Sequence, residues 1–243
     1  MGADGGLTFR QVGDDGGLTF RQVGDDGGLT FRQVGDDGGL TFRQVGAEAL
    51  LVEAPDGASV EALYAELLAR RGSLPEVAEI VPAARTVLLD GVSDVAALRR
   101  ELAGWRLTER RAAEGPLVSV RVVYDGADLE EVAGLWGVSV AEAVRVHSSV
   151  EYRVAFCGFA PGFAYLTGLP ERYHVPRRAT PRSSVPAGSV ALAGPYTGVY
   201  PRSSPGGWQL IGRTAAVLWD ASREPAALLA PGTRVRFVPE AGS

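Results

Sequence analysis

Six arginines, Arg172, Arg177, Arg178, Arg182, Arg202 and Arg213, fall between Glu171 and Thr214, where Glu171 is the single acid, in a chain whose net charge is -5. Three of them stand in RRATPRSSVPAGS, where prolines stiffen the loop. A guanidinium held in this way offers a planar fork of donors to a carboxylate or phosphate and loses little freedom on binding. Aromatic residues flank the group, with Phe159, Phe163 and Tyr165 before it and Tyr196, Tyr200 and Trp208 after or within it. Rings beside guanidinium forks suit a small anion with an apolar part, held at the mouth of a barrel. The same residues also read as a solvated arginine rim over ordinary core rings.

Two further groups bear on chemistry. His147 closes a helical pattern immediately before the strand-rich half, where it can relay a proton or simply favour the helix dipole. Cys157 lies in an apolar strand with no base nearby in sequence, the setting of a packed thiol. The stretch FCGFAPGFAYLTGLP, Phe156 to Pro170, opens like a buried strand and is then broken by Gly158, Pro161 and Gly162, residues that weaken a sheet interior. That break turns Phe159 and Tyr165 out of the sheet and toward the arginine loop. In SPGGWQLIGRT, Gly206 and Gly207 precede Trp208 and let backbone approach a ligand or turn tightly.

Composition excludes several classes. All 24 basic residues are arginine. Without lysine there is no Walker A loop, kinase-type phosphate lysine or Schiff base, each of which uses an ammonium that guanidinium does not replace. A single cysteine rules out an internal disulfide, and with only two histidines beside it a structural zinc site is not expected. No apolar run approaches the roughly 18 residues of a membrane span, and the N-terminus lacks the basic-then-apolar order of a signal peptide. A cytoplasmic protein is the expectation. The acidic balance gives no general attraction to nucleic acid or anionic lipid.

The elements that must position these residues follow from periodicity. GGLTFRQVGDD recurs with a period of 11 from Gly5, Gly16 and Gly27, and a last copy from Gly38 runs on after GGLTFRQVG into AEALLVEA. Its identity from copy to copy suggests recent duplication, so residues 1–37 are expected to be a dispensable or loosely ordered leader. LTFRQV and ALLVEA read as strands. Val60, Leu63, Tyr64, Leu67 and Leu68 then recur at helical spacing, with Ser59 as N-cap and Gly72 as stop. VAEIVPAA and RTVLLDG read as strands, a second helix opens at Ser93 or Asp94 and closes at Gly104, and LVSVRVVYDG alternates as a strand. Residues 38–125 are thereby expected to form a small α+β domain with a mainly antiparallel sheet. In residues 126–150 a helical hairpin carries a Gly137 stop and a Ser139/Glu142 capping box. It lacks the basic recognition face of a DNA-binding helix. Residues 151–243 read as short strands and turns, including AAVLW, with PAALLAPG the one helix candidate, and so as a closed or nearly closed β-barrel.

Three blocks, HSSVEYRVAFCGFAPGFAYLTGLP, VPRRATPRSSVPAGSVALAG and TGVYPRSSPGGWQLIGRT, together resemble the signature of the KipI, or allophanate hydrolase subunit 1, family. The resemblance runs from about Leu40 to Pro239 and does not cover the duplicated leader. It implies an α+β fold, with a small ferredoxin-like domain followed by a cyclophilin-like β-barrel. It implies a subunit of an ATP-dependent 5-oxoprolinase complex that converts 5-oxoproline to glutamate. ATP, as its magnesium complex, would be shared with partners: a homologous carboxyltransferase-like subunit of the PxpC type and a third subunit of the PxpA type. Carried onto this chain, it marks His147, Arg178 and Arg182 as catalytic. Phe159, Pro161, Gly162, Tyr165, Thr180, Pro181, Tyr200, Gly206, Gly207, Trp208 and Gln209 would bind substrate. Family members that inhibit a sensor histidine kinase, or act within urea-carboxylating enzymes, leave regulatory binding and a different amide substrate open.

Overall fold

A computed structural model describes residues 8–11, 18–21, 39–105 and 115–240. Within the leader, β1 (Thr8–Gln11) and β2 (Leu18–Arg21) pair antiparallel. The rest of the expectation for residues 1–37 lies outside the described residues.

In the following segment, β3 (Thr41–Val45), β4 (Ala49–Glu53), α1 (Gly57–Arg70), β5 (Val77–Pro82), β6 (Thr86–Val92) and α2 (Val95–Ala103) appear in chain order. The strands form an antiparallel sheet in the order β3-β4-β6-β5. Leu50 and Val52 alternate inward along β4 and meet Leu63 and Leu67 of α1 and Leu98 and Leu102 of α2, all buried. Each such leucine contributes about 2 kcal/mol by leaving water. Asp56 caps α1, its carboxylate accepting from the Ser59 backbone N–H at 2.7 Å, so the cap stands three residues before the expected Ser59. Its end also differs, since α1 passes into a 3-10 turn over Arg71–Ser73 that contains Gly72. Asp94 caps α2 and Gly104 closes it, as expected.

A larger sheet of seven strands takes up the remainder. In chain order its strands are β7 (Leu117–Val122), β8 (Glu151–Cys157), β9 (Ala164–Thr167), β11 (Ser189–Ala193), β12 (Tyr196–Val199), β14 (Gln209–Arg213) and β15 (Arg234–Pro239). Between them, β10 (Arg182–Val185) and β13 (Ser204–Gly206) form a separate two-stranded ribbon. The sheet order is β14-β11-β12-β9-β8-β15-β7, and its two edges meet where Val123 and Arg213 exchange backbone hydrogen bonds at 2.9 Å each way. The result is a nearly closed barrel. β7 pairs in parallel with β15, so the strand read from LVSVRVVYDG joins this barrel and not the preceding sheet. The expected boundary at residue 125 is corrected accordingly, because β7 finds its full-length partner only there.

α3 (Leu129–Trp136) and α4 (Val140–Ser149) pack on β14 and β15 respectively. Gly137, at φ 67°, terminates α3, and Ser139 accepts from the Glu142 N–H, as the hairpin pattern predicts. The expected helix in PAALLAPG is not formed. That segment and AAVLW are irregular, joined by a bridge between Trp219 and Ala227, while Leu218 and Leu229 are buried in the barrel core. Among the described residues no helix is long and apolar enough to cross a membrane.

His147 lies inside this core at 1% exposure, against the rings of Tyr124, Tyr152 and Phe237. The Tyr124 hydroxyl is 2.8 Å from Nδ1, and Nε2 has no partner among the described residues. Burial depresses its pKa to about 3. The imidazole is therefore neutral in the fold and takes up a proton on unfolding below its ordinary value near 6.5. Stability is full above that pH and falls as pH drops from about 6.5 toward 3, by at most about 1.4 kcal/mol per pH unit. Urea midpoints between pH 7 and 4.5 are expected to decline in the wild type and to flatten in His147→Phe.

Candidate functional site

The expected aromatic residues do converge, but on the outer face of the barrel wall. Along β11, Val190 and Leu192 point into the barrel core while Ala191 and Ala193 belong to a second cluster with Phe163, Tyr200, Trp208 and Leu210. The same alternation along β9 sends Leu166 inward and Tyr165 outward. Thus the pocket is not at the barrel mouth, because a period of two places these rings on the opposite face from the core residues. At Gly198 of β12 a Cβ would sit 3.0 Å from both the Phe163 and Trp208 rings. Glycine leaves the bare strand surface on which these rings lie.

The rings brace one another edge to face: Phe163 to Trp208 at 5.4 Å, Phe163 to Tyr200 at 5.3 Å and Tyr165 to Trp208 at 5.6 Å between centroids. Phe159 adopts φ 66°, a left-handed conformation that is costly for a bulky side chain, and remains 59% exposed. Its ring meets Phe163 at 5.3 Å. Together with the β10–β13 ribbon these residues enclose an open pocket of about 440 Å³. Of the residues expected to bind substrate, Phe159, Tyr165, Tyr200, Gly206 and Trp208 line it. Pro161, Thr180 and Pro181 are exposed outside its lining, Gly162 is buried beneath Trp219, and Gly207 packs against Pro181. Gln209 is buried, its Nε2 donating to the Pro176 carbonyl at 3.4 Å.

Neither Arg178 nor Arg182 lines the pocket. Both donate to one oxygen of Asp128, Arg178 Nη1 and Arg182 Nη2 each at 2.7 Å from Oδ1. The other oxygen, Oδ2, accepts from the Leu210 N–H at 2.7 Å, and the Asp128 N–H donates to the Leu210 carbonyl at 2.9 Å. Close approach makes this possible: at Gly126 a Cβ would lie 2.4 Å from the Leu210 carbonyl oxygen. Burial works to raise the Asp128 pKa. The Arg182 hydrogen bond, the Leu210 N–H and the charges of both arginines outweigh it and hold the carboxyl below its usual value. Arg178 also ties its backbone N–H to the Gly207 carbonyl at 2.8 Å, fastening the arginine loop to the turn before Trp208.

The guanidinium that does line the pocket is Arg177. It is exposed and makes no hydrogen bond or ion pair among the described residues. Burial raises the phenol pKa values of Tyr165 and Tyr200, and the positive charge of Arg177 opposes that rise at both. His147 does not reach the site, since it belongs to the barrel core. Cys157 donates to the Leu229 carbonyl at 3.3 Å and burial pushes its thiol up to about 11, the inert state expected of it. Sequence reasoning passed over Asp128, which reads as a helix-start residue, and did not separate Arg177 from its neighbour.

A nearly closed barrel with a preceding α+β segment and a ring-lined outer pocket defines a recognisable class. The profile of the family described as carboxyltransferase domain, subdomain C and D, matches residues 40–229, and the chain belongs to that family. Among individual relatives, it is 45% identical over 201 residues to the B subunit of 5-oxoprolinase from Escherichia coli O157:H7, covering 80% of this chain and 92% of that one. The crystal structure of TTHA0988 superposes with a TM-score of 0.65 at 36% identity, covering 80% of this chain but 40% of that one. The K. lactis urea amidolyase shares the fold at a TM-score of 0.62 and 19% identity, over 86% of this chain and 15% of that one.

Removing the central carboxylate leaves Arg182 without its ion pair and Arg178 with only the longer contact to the exposed Glu131, at 3.7 Å. Asp128→Ala is expected to lower the unfolding free energy by about 3 kcal/mol or more, read as a urea midpoint shift. In the wild type this contribution is complete above the ordinary carboxylate pKa and is lost as pH falls through the depressed one.

Proposed function

We propose that this chain is one component of an ATP-consuming complex that hydrolyses 5-oxoproline to glutamate. The observation that carries the reading is the 45% identity spanning 92% of a 5-oxoprolinase component. The pocket supports it: ring faces suit the apolar edge of a five-membered lactam, and one free guanidinium suits its carboxylate.

A lactam carbonyl is a poor electrophile. Transfer of the ATP γ-phosphoryl group to its oxygen makes that oxygen a leaving group. Water then adds at the carbon, the ring C–N bond opens as nitrogen takes a proton to leave an acyl phosphate, and a second water hydrolyses that acyl phosphate to inorganic phosphate and the second carboxylate of glutamate. Positive charge near the transferred group stabilises this sequence. The described residues fit only part of that demand. Arg178 and Arg182 already share Asp128, Arg177 alone faces the pocket, and the chain has no lysine for the phosphates. We therefore assign the grip on ATP and its magnesium to partner subunits, a homologous carboxyltransferase-like chain and a third component, in the cytoplasm.

On the finer points of fold, we read the barrel as cyclophilin-like and the preceding sheet as ferredoxin-like. The latter rests on β6 lying between β4 and β5, with β3 beside β4 in the place of a final strand. The kinase-inhibitor reading receives no comparable support, because the relative over nearly its full length bears the name of an enzyme component.

The experiment is co-expression with the neighbouring subunits and measurement of glutamate released from 5-oxoproline with ATP. The purified chain alone is expected to give little or no turnover and the assembled complex robust turnover. Full activity from the single chain, or none from the complex, contradicts the proposal.

A further inference from the structure

We infer that Arg177 is the residue that recognises the substrate's carboxylate and sets the specificity of the pocket, while Arg178 and Arg182 position it without touching substrate. The inference rests on the function proposed above and assigns a division of labour that the three neighbouring guanidiniums do not reveal in sequence.

Two of the three guanidiniums already have a buried partner. Arg178 and Arg182 meet the same carboxylate oxygen, and Asp128 is 3% exposed. For either to bind a ligand anion it would have to leave a buried carboxylate behind, which is costly. Each retains a buried nitrogen without a partner among the described residues, Nε of Arg178 and Nη1 of Arg182, but neither residue lines the pocket. Arg177 is the reverse case. It stands at the pocket wall with no hydrogen bond or ion pair among the described residues, in a lining that also holds Tyr165, Tyr200 and Trp208.

Position follows from the latch. Pro176 precedes Arg177, and Arg178 follows it, held both by Asp128 and by the Gly207 carbonyl. The backbone on the C-terminal side of Arg177 is thus fastened to the same turn that carries Trp208. A guanidinium on a fastened loop keeps its reach toward the rings and loses less freedom when an anion arrives. Because Arg177 is exposed and makes no contact that the fold needs, its replacement should leave stability intact while changing ligand choice.

The ligand class follows. The occupant carries a carboxylate for Arg177 and a compact apolar face for Tyr165 and Trp208. A neutral lactam of the same ring size fills the rings but leaves the guanidinium without its anion.

The test compares 5-oxoproline with 2-pyrrolidinone, the same ring without the carboxylate. Two readouts are used: tryptophan fluorescence titration of the full chain with either lactam, and, in the co-expressed complex, glutamate release with KM for 5-oxoproline beside 4-aminobutyrate release from 2-pyrrolidinone. Wild type is expected to prefer 5-oxoproline. Arg177→Ala should raise KM or Kd for 5-oxoproline about tenfold or more, erase the preference over the neutral lactam, and leave the thermal midpoint unchanged. Arg177→Lys should restore part of the preference by supplying charge without the fork. Arg178→Lys should shift the thermal midpoint and retain the preference. An active complex in which Arg177→Ala keeps its KM overturns this inference and leaves the proposed function standing. Conversely, an Arg177-dependent preference for the acid in a complex that releases no glutamate supports the anion site and sinks the reaction. Absence of any carboxylate preference in both readouts overturns the inference.

Discussion

A buried carboxylate holds the functional face of this molecule together. Asp128 gathers two guanidiniums from the loop of residues 176–182 and the Leu210 N–H from β14. Three charge-assisted hydrogen bonds on one side chain outweigh the cost of taking that charge out of water. The geometry has a directional consequence. The loop that arches over the sheet is pinned to the loop preceding α3, and the turn at Gly207 is drawn in with it through Arg178. Without such a node, a Pro-, Arg- and Ser-rich stretch with few apolar side chains would have little reason to stay against the barrel.

On the surface so fixed, the aromatic residues form a frame braced by its own contacts. Edge-to-face pairs of the kind seen among Phe163, Tyr200 and Trp208 are each worth about 0.5–1.5 kcal/mol beyond burial, enough to offset the left-handed backbone at Phe159. That backbone turns a large, mostly exposed ring onto the pocket wall, where it meets Phe163 and Tyr200.

Much of the scaffold was legible in the chain because it rests on local chemistry. Alternating residues of β4 and β15, the heptad-like face of α2, the Asp94 cap and the Gly137 stop each declare themselves within a few positions. Misreadings arose where the deciding partner is distant. The cap of α1 is a local exception, with Asp56 three residues ahead of Ser59. LVSVRVVYDG is a strand in either half, and only its pairing with β15, more than a hundred residues away, places it in the barrel. The candidate site divides in the same way. Its rings were recognisable by type and clustering. The roles of the arginines were not, since Arg177, Arg178 and Arg182 look alike until Asp128 claims two of them. His147 was misplaced because a residue ending a helix can face the core or a cleft, and the rings of Tyr152 and Phe237 decide for the core.

The amino-acid order by itself determined that this chain builds an α+β segment and a strand-rich barrel. It determined also that its cations are all guanidinium and that rings and arginines crowd into about a quarter of its length. Periodicity and composition carry that information because they act between near neighbours. Which wall of the barrel the rings occupy and which arginine stays free were decided only in three dimensions. Both depend on long-range partners: a sheet edge closed at Val123 and Arg213, and a carboxylate fifty residues upstream of the guanidinium it neutralises.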